Sequence, residues 1–144
     1  MVDSTSKTMQ KMVVHKADGT IVKGISYNFS PYINIAFHLE QVDPAVADAK
    51  SVEVRIATLK AIFIVKSFPG NPEYKDKKCF QDEGIKLQPG RKAEIEFMDG
   101  EKIYGVIFTF DPKKIGFWLF PIDPNDNNEK VFVVSNMVKE VKFV

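Results

Sequence analysis

One cysteine and two histidines are all that this sequence offers of the side chains most used for nucleophilic attack and transition-metal ligation. Cys79 has no second thiol for an internal disulfide or a paired-thiolate metal site, as expected of a reducing compartment. His15 and His38 lie at no helical spacing from Cys79 or from a carboxylate pair, and His15 falls on the outward, solvent-facing phase of a strand. No run of about 18 apolar residues occurs, and the opening "MVDSTSKTMQ" is polar, so neither a membrane span nor a secretory signal is expected. An excess of one charge is missing too. Twenty basic and nineteen acidic residues leave a net +1, with eight basic against six acidic over 1–66, five against four over 67–91 and seven against nine over 92–144. A nucleic-acid module draws most of its affinity from a basic face, and none is announced here. A long helical period is equally absent, "DPAVADAKS" from Asp43 being the one candidate, of two turns at most. "GNPEYKDKK" lacks the spacing and the Lys-Ser/Thr ending of a phosphate loop. No catalytic residue, metal ligand or cofactor is expected.

What the chain does have is aromatic residues and a repeated pattern. Asp18, Gly19, Gly24, Phe29 and Pro31 of "KADGTIVKGISYNFSPYINIAFHL" return without a gap as Asp99, Gly100, Gly105, Phe110 and Pro112 of "FMDGEKIYGVIFTFDPKKIGFWLF". Lys92 to Met98 alternates, with Ala93, Ile95 and Phe97 on one face and Lys92, Glu94 and Glu96 on the other, which predicts a half-buried strand. The Asp-Gly pair then turns the chain into a second strand, Lys102 to Phe110, whose apolar face reads Val106, Phe108, Phe110 after a change of phase at Gly105. That change of phase predicts a bulge or bend at Gly105, and by the same pattern at Gly24.

Each copy continues into three further strands with a one-turn break between the fourth and fifth: "NIAFHLE", "VEVRIA" and "AIFIVKSF" in the first, "IGFWLFPI", "VFVV" and "KEVKFV" in the second. The expected architecture is all-β, two tandem small five-stranded barrels arising from an internal duplication. A polar tail spans 1–10, the first barrel 11–66 and the second barrel 92–144. Residues 67–91 form an ordered connector, since Phe68, Tyr74, Phe80, Ile85 and Leu87 are too many large apolar residues for a free tether. "DPNDNNE" alternates oxygen-bearing side chains at Asp123, Asn125, Asn127 and Glu129, but Asn128 and Val134 stand where a calcium loop needs Gly and Glu, so it reads as a polar turn. In "GFWLF", alternation sends Phe117 and Leu119 one way and Trp118 and Phe120 the other, one pair into the core and the other over a neighbour or a partner.

"DGEKIYGVIFTFDPKKIGFWL" resembles the first motif of the Sm and Sm-like proteins, and "VFVVSNMVKEVKF" resembles their second, a strand, a short Asn-containing turn and a closing strand. The likeness covers about 45 residues of the second copy and fewer of the first. The whole chain also resembles an uncharacterised bacterial family of small β-barrel domains ending in this "PxDP…NNE…VFVV…VKEVKF" pattern. The resemblance implies an Sm-like or Src-homology-3-like roll and, as one function, RNA binding by a ring-type oligomer with contacts from Asn34 and Asn136. The RNA-binding set is incomplete in either copy: Ala57-Thr58-Leu59 occupies the later turn of the first, and Ile115 takes the earlier place in the second. The favoured expectation is a cytoplasmic, non-enzymatic binding or scaffolding module for a protein partner, using Phe117, Trp118, Phe120 and Tyr74.

Overall fold

The computed structural model describes residues 9–42, 51–68, 90–123 and 125–144, and these form an all-β molecule of ten strands. Five precede residues 69–89, which hold most of the expected connector and lie outside the described residues: β1 (Gln10–Lys16), β2 (Ile21–Ser26), β3 (Ala36–Gln41), β4 (Ser51–Arg55) and β5 (Leu59–Val65). Five follow them: β6 (Arg91–Phe97), β7 (Lys102–Ile107), β8 (Gly116–Leu119), β9 (Asn128–Val134) and β10 (Val138–Phe143). A single 3-10 turn separates the fourth strand from the fifth in each set, at Ile56–Thr58 and at Ser135–Met137.

Local chemistry makes the hairpins alike. Gly19 and Gly100 sit at φ +93° and +94°, a region that costs glycine nothing, and each donates its N–H to the carbonyl three residues back, of Lys16 and Phe97. The preceding aspartates close the turns, Asp18 Oδ1 accepting from Thr20 N at 2.9 Å and Asp99 Oδ1 from Glu101 N at 3.0 Å. Gly24 and Gly105 then meet matching surroundings. A Cβ at Gly24 would lie 2.6 Å from Glu40 O and against Leu39; one at Gly105 would lie 2.5 Å from Phe120 O and against Leu119. Close approach of the neighbouring strand, rather than a bulge, requires these glycines: the β1–β2 and β6–β7 registers run through them without a break. The expected Val106, Phe108, Phe110 face holds at Val106 but does not continue: Val106 and Ile107 are both buried, β7 ends at Ile107, Phe108 is 50% exposed, and Phe110, 36% exposed, meets Phe117 edge-on at 5.0 Å from outside the strand.

Hydrogen bonding partitions the strands into a seven-stranded sheet, β4-β3-β2-β1-β5-β9-β8, and a three-stranded sheet, β10-β6-β7. Neither closes into a barrel. The unequal partition arises because β5 pairs with β9, Ala61 opposite Val133 and Ile62 opposite Phe132, which draws β8 and β9 into the first sheet. One bridge, Val106 to Phe120, ties β7 back to the chain leaving β8.

The seam strands serve two cores at once. Leu59, Ile62 and Ile64 of β5, with Phe132 and Val134 of β9, pack with Met12, Val14, Phe37 and Leu39. Ala61 and Phe63 of β5, with Val131 and Val133 of β9, pack with Ala93, Ile95, Phe97, Phe117 and Leu119. Alternate side chains thus enter opposite cores, so β5 is apolar at every position but Lys60, and β9 is apolar from Val131 to Val134. Asn127 extends the seam, donating from Nδ2 to Ser67 O at 3.0 Å while its backbone carbonyl accepts from Lys66 N at 2.8 Å.

Candidate functional site

Alternation in β8 falls as expected. Phe117 and Leu119 are 1% and 2% exposed and belong to the second core, whereas Trp118 and Phe120 are half-buried on the other side. Trp118 lies over Phe132, its cross-strand partner, with ring centroids 5.2 Å apart, and Lys130 Nζ stands 4.3 Å from the indole.

Trp118 and Phe120 face a cleft of about 510 Å3, lined also by Tyr32, Phe108, Thr109, Asp111 and Lys114. That size lies within the range of ordinary ligand sites, about 300–1,000 Å3. Tyr32 comes from the turn after β2 and crosses to the other half of the chain, where its hydroxyl donates to Gly116 O at 3.1 Å. Burial against this wall pushes the Tyr32 phenol up from its ordinary value, so it stays a neutral donor. Phe108 and Phe120 meet edge to face at 5.1 Å on the opposite wall. At the rim, Asp111 Oδ1 accepts from Lys113 N at 2.9 Å, and Lys114 is exposed.

Tyr32, Phe108, Thr109, Asp111 and Lys114 were not among the residues marked by sequence. The signal in reach was the Pro31-Tyr32 turn and the second half of the Phe108–Asp111 stretch, read instead as strand. The other marked residues disperse. Phe117 is sealed in the core, and Tyr74 lies outside the described residues. Asn34 is exposed, its backbone N–H bonded to Ser30 O. Asn136 stands in the second 3-10 turn and donates from Nδ2 to Ala57 O at 3.3 Å, so the two 3-10 turns lie side by side. Ile35 O accepts from Ile56 N and Ile115 O from Ser135 N, which makes Ile115 the counterpart of Ile35; the residue matching Asn34 is therefore Lys114.

Three further polar features are structural. Lys60, on β5, is nearly buried and reaches across the seam to the second Asp-Gly turn, pairing with Asp99 at 2.7 Å and with Glu101. Burial alone would lower its pKa, but the hydrogen bonds it donates to Asp99 and Glu101 outweigh that and raise it, while Lys60 in turn holds the Asp99 carboxyl below the usual carboxylate range. His15 is half-buried rather than solvent-facing, stacked at 4.6 Å on Phe63, and burial pushes its pKa down. In "DPNDNNE", Asp123 and Asp126 spend their Oδ1 atoms on the backbone N–H groups of Asn125 and Asn128, as turn-forming aspartates do. Among the described residues, no three or more His, Cys, Asp or Glu side chains are grouped to hold a metal ion, and no helix is long and apolar enough to cross a membrane.

No curated protein and no solved structure matches the chain. The model of one family, described as "Family of unknown function (DUF6982)", matches residues 8–144. By that match, which takes in both the seam and the cleft, the chain belongs to this family of unknown function.

Proposed function

We propose that this protein is a non-enzymatic binding module that receives a protein partner in the aromatic cleft between β8 and the segment following β7. The observation that carries the reading is the cleft itself: about 510 Å3 with four aromatic side chains, Tyr32, Phe108, Trp118 and Phe120, from three separate parts of the chain. Aromatic walls with a few polar groups are the usual composition of recognition sites. The scaffold behind the cleft is read as two Sm-like units from an internal duplication, joined edge to edge. Matching glycine environments and matching strand registers in the two halves support that reading.

Phe108→Ala tests it, because Phe108 is half-exposed and its truncation leaves the core intact. An affinity pull-down from the native host with wild type and Phe108→Ala, followed by titration of the recovered partner, is expected to show at least about tenfold weaker binding by the variant, the worth of one aromatic anchor. Equal affinity for every recovered partner would sink the cleft as the site.

A second reading, an Sm-like RNA-binding ring, draws on the outer strands β4 and β10, which end the hydrogen-bonded order of their sheets. Mass photometry together with salt-dependent retention of a uridine-rich RNA separates the two readings. A monomer that does not retain the RNA removes the ring.

A further inference from the structure

The backbone of Trp118 gives the cleft a second recognition element. In the β8–β9 ladder, Ser135 N donates to Ile115 O at 2.9 Å, which sets Ile115–Ser135 and every second pair after it as hydrogen-bonded pairs. Trp118, opposite Phe132, falls between them, so its N–H and C=O point away from β9. They point the same way as those of Phe120, which exchanges both of its bonds with Val106 at 2.8 and 2.9 Å. One step beyond that bridge β7 has ended, and Phe108 has turned outward instead of pairing. Gly116, the next residue facing this side, is met by the Tyr32 hydroxyl. Trp118 between them has no partner for its N–H among the described residues.

The first half of the chain closes the same position. Ile25 opposite Glu40 is the counterpart of Val106 opposite Phe120, and His38 is the counterpart of Trp118. There Asn28 Oδ1 accepts from His38 N at 3.0 Å, and its Nδ2 lies 3.3 Å from His38 Nδ1. The residue standing in the place of Asn28 is Thr109, which makes no such bond among the described residues and lines the cleft instead. The first half therefore carries a side-chain plug on this N–H, whereas in the second no described residue meets the N–H or C=O of Trp118 between the aromatic walls.

We propose that the cleft takes an extended peptide segment of the partner protein, whose main chain pairs with the N–H and C=O of Trp118 while its apolar side chains lie among Tyr32, Phe108 and Phe120. The inference rests on the cleft being the binding site. A peptide main chain supplies the complementary acceptor and donor at the spacing of a β-ladder. The rim favours a peptide over a polyanion, since Asp111 opposes Lys114 there and a phosphate backbone would meet the carboxylate.

The test pans the full chain against a display library of short random peptides and resynthesises the binders. N-methylation at one alternate set of peptide positions is expected to weaken binding about tenfold, as loss of a main-chain hydrogen bond does, and at the other set to change little. Thr109→Asn, which introduces the plug of the first half, is expected to weaken it by a similar factor, and Phe108→Ala at least as much, with thermal melts checking that both variants fold. Hydrogen exchange on the free wild type reads the open edge directly: the Trp118 amide exchanges faster than the His38 amide and becomes protected when peptide binds.

Binders that need Phe108 but ignore both N-methylation sets and Thr109→Asn would overturn strand pairing and leave the cleft reading standing. Binders indifferent to Phe108→Ala, or none recovered, would overturn both. So would binding of oligothymidylate that Phe108→Ala abolishes, since the ligand would then be a nucleic acid. Equal protection of the Trp118 and His38 amides in the free protein would overturn the open edge.

Discussion

β5 and β10 hold the same place in their halves and meet opposite fates. Each follows a 3-10 turn, and each pairs with the first strand of its own half in the same register: Ile62 opposite Val14 corresponds to Val141 opposite Ile95. Yet six of the seven residues of β5 are buried, and none of β10 is. The difference is the neighbour. β5 is covered on its outer side by β9, whereas β10 ends its sheet. Composition has followed: "LKAIFIV" is apolar apart from Lys60, and "VKEVKF" carries Lys139, Glu140 and Lys142. β4, an outer strand of the larger sheet, likewise carries Glu53 and Arg55, while its counterpart β9 is buried from Val131 to Val134. Charges on an outer strand discourage a second chain from adding to it. The comparison therefore weighs against β10 taking up β4 of another copy as β5 takes up β9, and it weakens the ring reading on physical grounds.

The sharpest way to break the comparison is to truncate matching residues. Ile62→Ala removes a fully buried side chain from the seam and is expected to cost about 2–5 kcal/mol in chemical denaturation. Val141→Ala, in the half-buried counterpart, is expected to cost under about 1 kcal/mol, since most of the transfer and cavity cost is missing. Equal losses would mean that β10 is covered in solution.

Gly24→Ala and Gly105→Ala probe what the halves share. In both, a new Cβ meets a backbone carbonyl and a leucine, so each should lose about 1–3 kcal/mol, and the two losses should agree. A large loss at one and none at the other would show that the matched registers conceal unlike packing.

How much of this was legible depended on whether the cause was local. The Asp-Gly turns and the alternation of Phe117 with Trp118 stand in the sequence because each answers to a neighbour along the chain or to a fixed period of two. The even apolarity of "AIFIV" was read only as a strand; its burial on both faces depends on β9, and a strand does not name its partner. The bulge expected at Gly24 and Gly105 misread a close approach between strands as a change of register. The cleft was half legible. Trp118 and Phe120 followed from alternation, but Tyr32 reaches Gly116 from 84 positions away, and the open N–H of Trp118 appears only when Asn28 and Thr109 are seen in matching places.

Lys60 and Lys139 give a smaller contrast, with a pH signature. Lys60→Met keeps an unbranched side chain but removes the ammonium that pairs with Asp99 and Glu101 and stands 4.8 Å from the Phe97 ring, and is expected to cost about 1–2 kcal/mol near neutral pH, a charged hydrogen bond discounted for half-exposed carboxylates. Because the folded Asp99 pKa is depressed, its contribution is present above the unfolded carboxylate value, near 4, and is lost as pH falls through the folded value. The raised Lys60 pKa works at the other end: its contribution is present below about 10.4 and is lost as pH rises through the folded value. Denaturation curves of Lys60→Met should therefore fall less steeply than wild type in acid. Lys139, exposed and 3.8 Å from Glu96, should change stability by less than about 0.5 kcal/mol as Lys139→Met.

A small effect is also expected where the two 3-10 turns touch. Ala57 and Asn136 are counterparts, yet the contact between them is one-sided: Asn136 donates to the carbonyl of Ala57, and Ala57 has no side-chain donor to return. A single neutral hydrogen bond at an exposed site is worth about 0.5–1 kcal/mol, so Asn136→Ala should lower stability by no more than that and leave peptide binding at the cleft unchanged. The second half of that expectation carries the weight. If Asn136→Ala weakened binding of a cleft ligand, the turn contact would be acting on the placement of Ile115 through Ser135, whose N–H and hydroxyl hold Ile115 O and Lys114 O. The cleft floor would then depend on the first half through the turns as well as through Tyr32. Titration of a selected peptide against wild type and Asn136→Ala decides between a contact that only closes the seam and one that also sets the cleft.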